Sequence, residues 1–171
     1  MEGTFRLIQS VGRLTGKRSQ AEALIAQMQA TIATVENTIA TRARPRVYYV
    51  AGFGQWGDFT ATGDTFIHDI INLAGGENIA SDATNWSFQL ELLLERDPDI
   101  IILPPSWGST FEETKHQFVT AEAYRNLSAV KTGNIYPFDN GMIERQGPRS
   151  AQAVLELALL LHPSIQREAF K

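Results

Sequence analysis

Gly52, Gly54 and Gly57 fall as G-x-G-x-x-G directly after the apolar run Arg46-Val-Tyr-Tyr-Val-Ala51, and Glu77 follows about twenty residues on, the spacing of a dinucleotide-binding fingerprint. That chemistry needs a helix to begin at the last glycine, so that its free amides meet a pyrophosphate. Here Asp58-Phe-Thr-Ala-Thr-Gly63 intervenes, the helical pattern starts near Asp64, and Trp56 would crowd the phosphate. A glycine-rich ligand or turn loop suits these residues better. Other reaction chemistry finds little support. His68 and Asp69 lie opposite the apolar stripe of their helix and read as solvated surface, while His116 and His162 have no metal-ligand spacing around them. Neither H-E-x-x-H nor G-x-S-x-G occurs, and no serine sits on a nucleophile elbow. The expectation is a binder with no catalytic residue, no metal and no resident cofactor.

The bulky aromatics carry more information, because ligands of open α/β sheets bind beyond the carboxyl ends of the strands. Trp56 follows the first apolar run and Trp107 the second. Trp86 lies in the loop entering a helix, and Met142 and Arg145 lie beyond a third run. Together with Phe59 these residues would form a rim for a large, flat or apolar ligand with anionic groups at its edge. The alternative for any one tryptophan is that it caps the core.

Three β-rich runs must position that rim: Arg46-Val-Tyr-Tyr-Val-Ala51, Asp99-Ile-Ile-Ile-Leu103 and Asn134-Ile-Tyr-Pro-Phe138. Their alternation with helical stretches predicts an α/β, Rossmann-like three-layer lobe with a mostly parallel sheet. The isoleucine run marks the second strand as the most buried, and Pro137 puts the third near an edge. A helix capped by Asp64 would bury Phe66, Ile67, Ile70, Ile71 and Ala74 and end at Gly75-Gly76. Another is expected from about Phe88 to Arg96, after Ser87 and before Pro98, and a last one from Pro148 through Leu161.

Ahead of the lobe, Leu7, Val11, Leu14, Ala21, Ile25, Met28, Ile32, Val35 and Ile39 recur at helical steps with a polar interruption at Arg18. This predicts one long helix, about Gly3 to Thr41 and on the order of 55 Å, within a segment 1–42 that precedes the lobe at 43–171. Such a helix is either a dimerisation arm or a spacer joining two lobes. The whole chain, 171 residues with 43% hydrophobic and 20% charged, describes one globular domain. A net charge of -4 and no basic stripe argue against nucleic acid, and the lack of cysteine leaves the compartment open. Met1-Glu2-Gly3 begins neither a basic nor an apolar leader region, so no export signal is expected within these residues.

Several segments, in order, resemble the class III periplasmic binding proteins of ABC importers for vitamin B12, haem and ferric siderophores. They are Ile8-Gln-Ser-Val-Gly-Arg-Leu-Thr-Gly16, Thr62-Gly-Asp-Thr-Phe-Ile67, Leu73-Ala-Gly-Gly-Glu-Asn-Ile79, Glu91-Leu-Leu-Leu-Glu-Arg-Asp-Pro98, Gly147-Pro-Arg149 and Leu161-His-Pro163. The resemblance implies the carboxy-terminal lobe and inter-lobe helix of a two-lobed protein, without its amino-terminal lobe. It further implies a cobalamin, ferric-siderophore or haem ligand and a periplasmic or extracytoplasmic location. By the same resemblance Glu91 would dock on arginines of the permease; its alternative role is to stabilise its own helix terminus. Self-association is expected from the apolar surface that half a molecule would leave uncovered. Tyr48 and Tyr49 are conceivable haem-iron ligands, but strand alternation turns them to opposite faces, where packing is the expectation. Two other readings stay open, a nucleotide-binding oxidoreductase domain and a helix-mediated interaction module. A metal-ion-binding relative is disfavoured by three scattered histidines.

Overall fold

The structure, a computed structural model, describes residues 1–55 and 57–170. In chain order it contains α1 (Glu2–Leu14), α2 (Arg18–Ile39), β1 (Arg46–Gly52), β2 (Phe59–Thr60), α3 (Phe66–Leu73), β3 (Glu77–Asn78), α4 (Leu90–Arg96), β4 (Ile100–Ile102), α5 (Phe111–Thr120), α6 (Ser128–Thr132), β5 (Ile135–Tyr136), α7 (Asn140–Ile143), α8 (Ser150–Leu161) and a 3-10 turn (Arg167–Phe170).

The sheet runs β2-β1-β4-β5, and β3 joins the same edge of β1 as β2 but at its amino end. All pairings are parallel except β1 with β2. Each face of the sheet carries its own core. Val47, Tyr49 and Ile102 pack toward α2, α3 and α8, whereas Tyr48, Val50, Ile101 and Leu103 pack toward α4, α5 and α6. This is the expected three-layer α/β lobe, with the isoleucine strand in the middle and the Pro137 strand at an edge.

Helix starts differ from expectation by a residue or two. Thr65, not Asp64, caps α3, accepting from the His68 N–H, and the helix closes at Gly75-Gly76 as anticipated. Asp64 is released for another task, described below. Helix α4 begins at Leu90 after Gln89 instead of Ser87, and α8 begins at Ser150, two residues after Pro148.

The single helix over residues 3–41 does not form. It ends at Leu14 in a Schellman motif: the Lys17 N–H returns to the Gly12 carbonyl (2.7 Å) and the Gly16 N–H to that of Arg13 (3.4 Å). Gly16 sits at φ 70°, a left-handed conformation that glycine adopts without steric cost. After this corner α1 packs back against α2, burying Phe5, Ile8 and Gly12, and Gly12 makes the contact possible, since a Cβ there would stand 2.5 Å from that of Ala21. Helix α2 lies along the lobe, its Ala21, Ile25, Met28, Ile32, Val35 and Ile39 face buried, and Phe5 and Ile8 of α1 join the same core.

His68 and Asp69 are half-buried and bonded to neighbours, not freely solvated. The Asp69 carboxylate meets the Met1 amine, and both His68 ring nitrogens are engaged. Asn78 donates through Nδ2 to the Ala61 carbonyl (2.6 Å) while its Oδ1 accepts from the Ala80 N–H (3.0 Å), which orients its amide. The same Nδ2 lies 3.1 Å from His68 Nδ1, so Nδ1 must accept and the ring is neutral. The Asn72 amide nitrogen lies 2.8 Å from Nε2, and a proton on Nε2 requires that amide to present its oxygen instead. Burial accordingly holds His68 below the ordinary histidine range, and buried His162 is lowered for the same first reason.

Gly12→Val is expected to cost about 1–3 kcal/mol by overpacking the α1–α2 contact, and Ala21→Gly in the same chain should recover part of that loss. Urea unfolding of the two variants measures both. Because the folded pKa of His68 lies below its unfolded value, its contribution is complete above about pH 6.5 and is lost as pH falls toward the folded pKa. Between pH 7.5 and 5.5, thermal unfolding should therefore show wild type losing stability relative to His68→Gln.

Candidate ligand-binding site

At the carboxyl ends of β1 and β4 the two strands diverge into loops, and a cleft of about 420 Å³ opens between them. Residues 50–53 form one wall, 103–107 the other, and Asn140 and Glu144 at the two ends of α7 close the third side. This is the position at which open parallel sheets take ligands. Leu103 and Pro104 are buried, and Pro104-Pro105 stiffen the second wall until Trp107, which projects fully into solvent at the lip. The Ser106 N–H donates to Thr114 on α5 (2.9 Å), and α5 itself starts with a capping box between Thr110 and Glu113. Sequence reasoning passed over that box, although T-x-x-E is its signature.

Glu144 forms a polar end of the cleft and is held from beneath by Tyr49. The Tyr49 ring is fully buried, and its hydroxyl donates to Glu144 Oε1 at 2.8 Å. Burial, with the Glu144 charge adding, pushes that phenol far above its ordinary range, so it stays a proton donor at any physiological pH. Tyr48, on the opposite face, is equally buried, and its hydroxyl has no hydrogen-bond partner among the described residues. Both tyrosines are therefore packed, and Tyr49 also orients a carboxylate.

The rim gathers some of the expected residues and leaves others out. The Phe59 ring covers Gly52, where a Cβ would meet it at 3.2 Å, and so stands beside the cleft. Trp86 adjoins it through the bridge between Phe59 and Ser87 and through the Thr60 N–H to Trp86 carbonyl bond (2.9 Å). Asn85 and Trp86 both adopt left-handed backbone, at φ 59° and 62°, which is rare for bulky side chains and concentrates at functional sites. Asp64 holds them there: its carboxylate accepts from the Asn85 N–H (3.0 Å) and from the Thr62 hydroxyl (2.5 Å), which in turn accepts from the Trp86 N–H (3.1 Å). These bonds, the Thr62 hydroxyl first, keep Asp64 below the usual carboxylate range. Trp107 lines the cleft. Met142 does not; it packs against the core below α7. Arg145 is exposed just past Glu144 and outside the cleft lining. Trp56 lies outside the described residues. Glu91 is exposed in the first turn of α4, away from the cleft. Phe53, Asn140 and Glu144 were missed. The run Asp139-Asn-Gly-Met-Ile-Glu-Arg145 drew attention to its arginine, whereas the helical turn of α7 presents its first residue and the one after its end.

A family model described as "Periplasmic binding protein" matches residues 1–140. The chain belongs to this family. Among relatives of this chain is a "Cobalamin-binding protein" from Halobacterium salinarum, 30% identical over 168 residues, covering 95% of this chain and 44% of its own. The "High-affinity heme uptake system protein IsdE" of Staphylococcus aureus is 28% identical over 147 residues, covering 81% of this chain and 49% of its own. Among solved structures, a periplasmic binding protein from Veillonella parvula superposes with TM-score 0.83 at 23% identity, over 95% of this chain and 57% of that one. S. aureus IsdE complexed with heme superposes with TM-score 0.78 at 25% identity, over 94% of this chain and 64% of that one. The chain thus spans about half the length of the relatives it matches.

Tyr49→Phe should leave the strand pairing intact but cost roughly 1–2 kcal/mol by removing a hydrogen bond to a charged group. Urea unfolding of this variant checks the magnitude.

Proposed function

We propose that this chain acts by binding and not by catalysis, as one lobe of the substrate-binding component of an ABC importer for a cobalamin or an iron complex (ferric siderophore or haem). The observation that carries the reading is the cleft at the carboxyl end of the parallel sheet, walled by Gly52, Phe53, the two prolines and Trp107. Such a surface offers aromatic and proline contacts to a flat ligand face beside the polar Ser106, Asn140 and Glu144. The family and the two named relatives support it, one being a cobalamin-binding protein and the other a heme uptake protein. Among the lining residues the only formal charge is the carboxylate of Glu144. A negative, hydrogen-bond-accepting end favours a ligand edged with neutral amides, as in a corrin, over one edged with carboxylates. Cobalamin therefore stands first. Phe59 and Trp86 extend the aromatic surface past Gly52, and Trp56 and Arg145 are placed by sequence in the loops flanking it. Glu91, exposed in the first turn of α4 and outside the cleft lining, would serve the permease. No helix among the described residues is long and apolar enough to cross a membrane, and the family supports an extracytoplasmic site of action.

A concave site normally buries ~70–90% of its ligand, so a single lobe should bind weakly. Calorimetry of this chain with cyanocobalamin, haemin and ferrichrome is expected to give saturable binding at about 100 μM or weaker, cyanocobalamin first. Trp107→Ala should weaken it at least ~fivefold by removing an aromatic contact, and Glu91→Ala should leave it unchanged. Nanomolar binding by this chain alone, or no saturation by any of the three at millimolar concentration, would overturn the reading.

A further inference from the structure

Tyr124 lies outside the cleft, in the connection between α5 and α6, yet its hydroxyl reaches the glycine-rich loop that follows β1. That oxygen accepts from the Gly54 N–H at 3.1 Å and donates its proton to Asp58 Oδ1 at 2.7 Å. One atom therefore holds both ends of the loop, which is also closed on itself by the Gly57 N–H to Gly54 carbonyl bond of 3.0 Å. The ring carrying the hydroxyl cannot follow a moving loop. It is buried, stacked on Phe118 at 4.4 Å and 6°, and both rings meet Phe53 edge-on, at 5.9 Å from Tyr124 and 5.1 Å from Phe118. Phe53 is part of the cleft wall. On its other side the loop is fastened to the entry of α4 by the Phe88 N–H on the Asp58 carbonyl, 3.2 Å.

We propose that Tyr124 is a positioning residue of the ligand site: its hydroxyl ties Gly54 to Asp58 and its ring backs Phe53, so that these residues are held in place before ligand arrives. The tether itself stands on the geometry above; its effect on affinity rests on reading the cleft as the ligand site. The electrostatics agree with a hydrogen bond that matters to Asp58. Burial first, and then the Glu91 charge, raise its carboxyl, while the Tyr124 hydroxyl is the contact that opposes the rise. The Tyr124 phenol is itself pushed up to about 12, by burial and by donating to Asp58, and so keeps its proton. A loop ordered in advance spares the ligand the entropy of ordering it, which is the usual route by which residues remote from a ligand change affinity.

Amide hydrogen exchange by NMR, with cyanocobalamin titration of the same samples, tests the proposal. Tyr124→Phe keeps the ring stack and deletes the hydroxyl. It should speed exchange of the Gly54 amide at least ~tenfold while the β1 amides stay protected, because only local opening is made easier. The cyanocobalamin dissociation constant should rise ~fivefold or more as the ordering cost returns to binding. Asp58→Asn retains an acceptor oxygen and should preserve Gly54 protection; Asp58→Ala should not. Unchanged Gly54 exchange in Tyr124→Phe overturns the tether. Faster exchange with unaltered affinity overturns the positioning role, and β1 amides that speed up together with Gly54 mark Tyr124 as merely structural. If wild type itself fails to bind cyanocobalamin, it is the functional reading that falls, and the exchange result alone upholds or overturns the tether.

Discussion

Val47, Tyr48 and Tyr49 pair in parallel with Ile100, Ile101 and Ile102, and that register governs what reaches the cleft. Successive side chains of a strand point to opposite faces, so each β1 residue is assigned to one core or the other. A shift of one residue would exchange the two sets and bring the Tyr49 hydroxyl to the α4 face, away from Glu144. The register is held because both faces are buried. Ile101 and Ile102 each lose all exposure, in different cores, and removing such side chains from water contributes about 1.5–3 kcal/mol apiece. The parallel arrangement also places the carboxyl ends of β1 and β4 side by side, which is why their loops, and not those at the opposite end, form two walls of one cleft.

At that end the chain must leave regular structure, and the loops are held by polar side chains where ladder bonds stop. Three carboxylates share the task. Glu144 is held by Tyr49 from the α8 face, Asp58 by Tyr124 from the α5 face, and Asp64 gathers the left-handed pair Asn85 and Trp86 from the β2 edge. In each case a carboxylate accepts from a donor, and the two tyrosines are fixed by the cores beneath. The rim is thus ordered by the layers it stands on.

The sequence was most legible where burial dictates pattern. Strands β1 and β4 could be read because a strand buried on both faces tolerates nothing but apolar residues, and the third run was marked as an edge by Pro137. Strands β2 and β3, two residues each, are too short to carry a period and exist only through their pairing with β1. The broken first helix was misread for a specific reason. Apolar residues continue at helical steps on both sides of Gly16, so the pattern alone runs through the corner, and only Gly16, at the C′ position of a Schellman turn, marks the stop. His68 was misjudged because helical periodicity predicts which face meets the sheet, whereas Asn78 comes from β3, and no local pattern announces it. At the site, aromatic residues were found by type, but Phe53 and Glu144 needed coordinates, since an ordinary Phe and Glu become cleft residues only through the turn geometry after β1 and around α7.

The α1–α2 corner changes what the amino-terminal segment can do mechanically. A straight 55 Å rod would lever motion at its far end into the lobe; a helix that turns back after three residues and rests on its neighbour through Gly12 and Ala21 cannot. The stiffness that matters lies instead in α2, seated in the α3 and α8 face along most of its length. The floor of the cleft belongs to the same packed body as that helix, through Tyr49 and Ile102 in the shared core. Force applied along α2 would therefore move the sheet as a unit, with the floor of the cleft carried along.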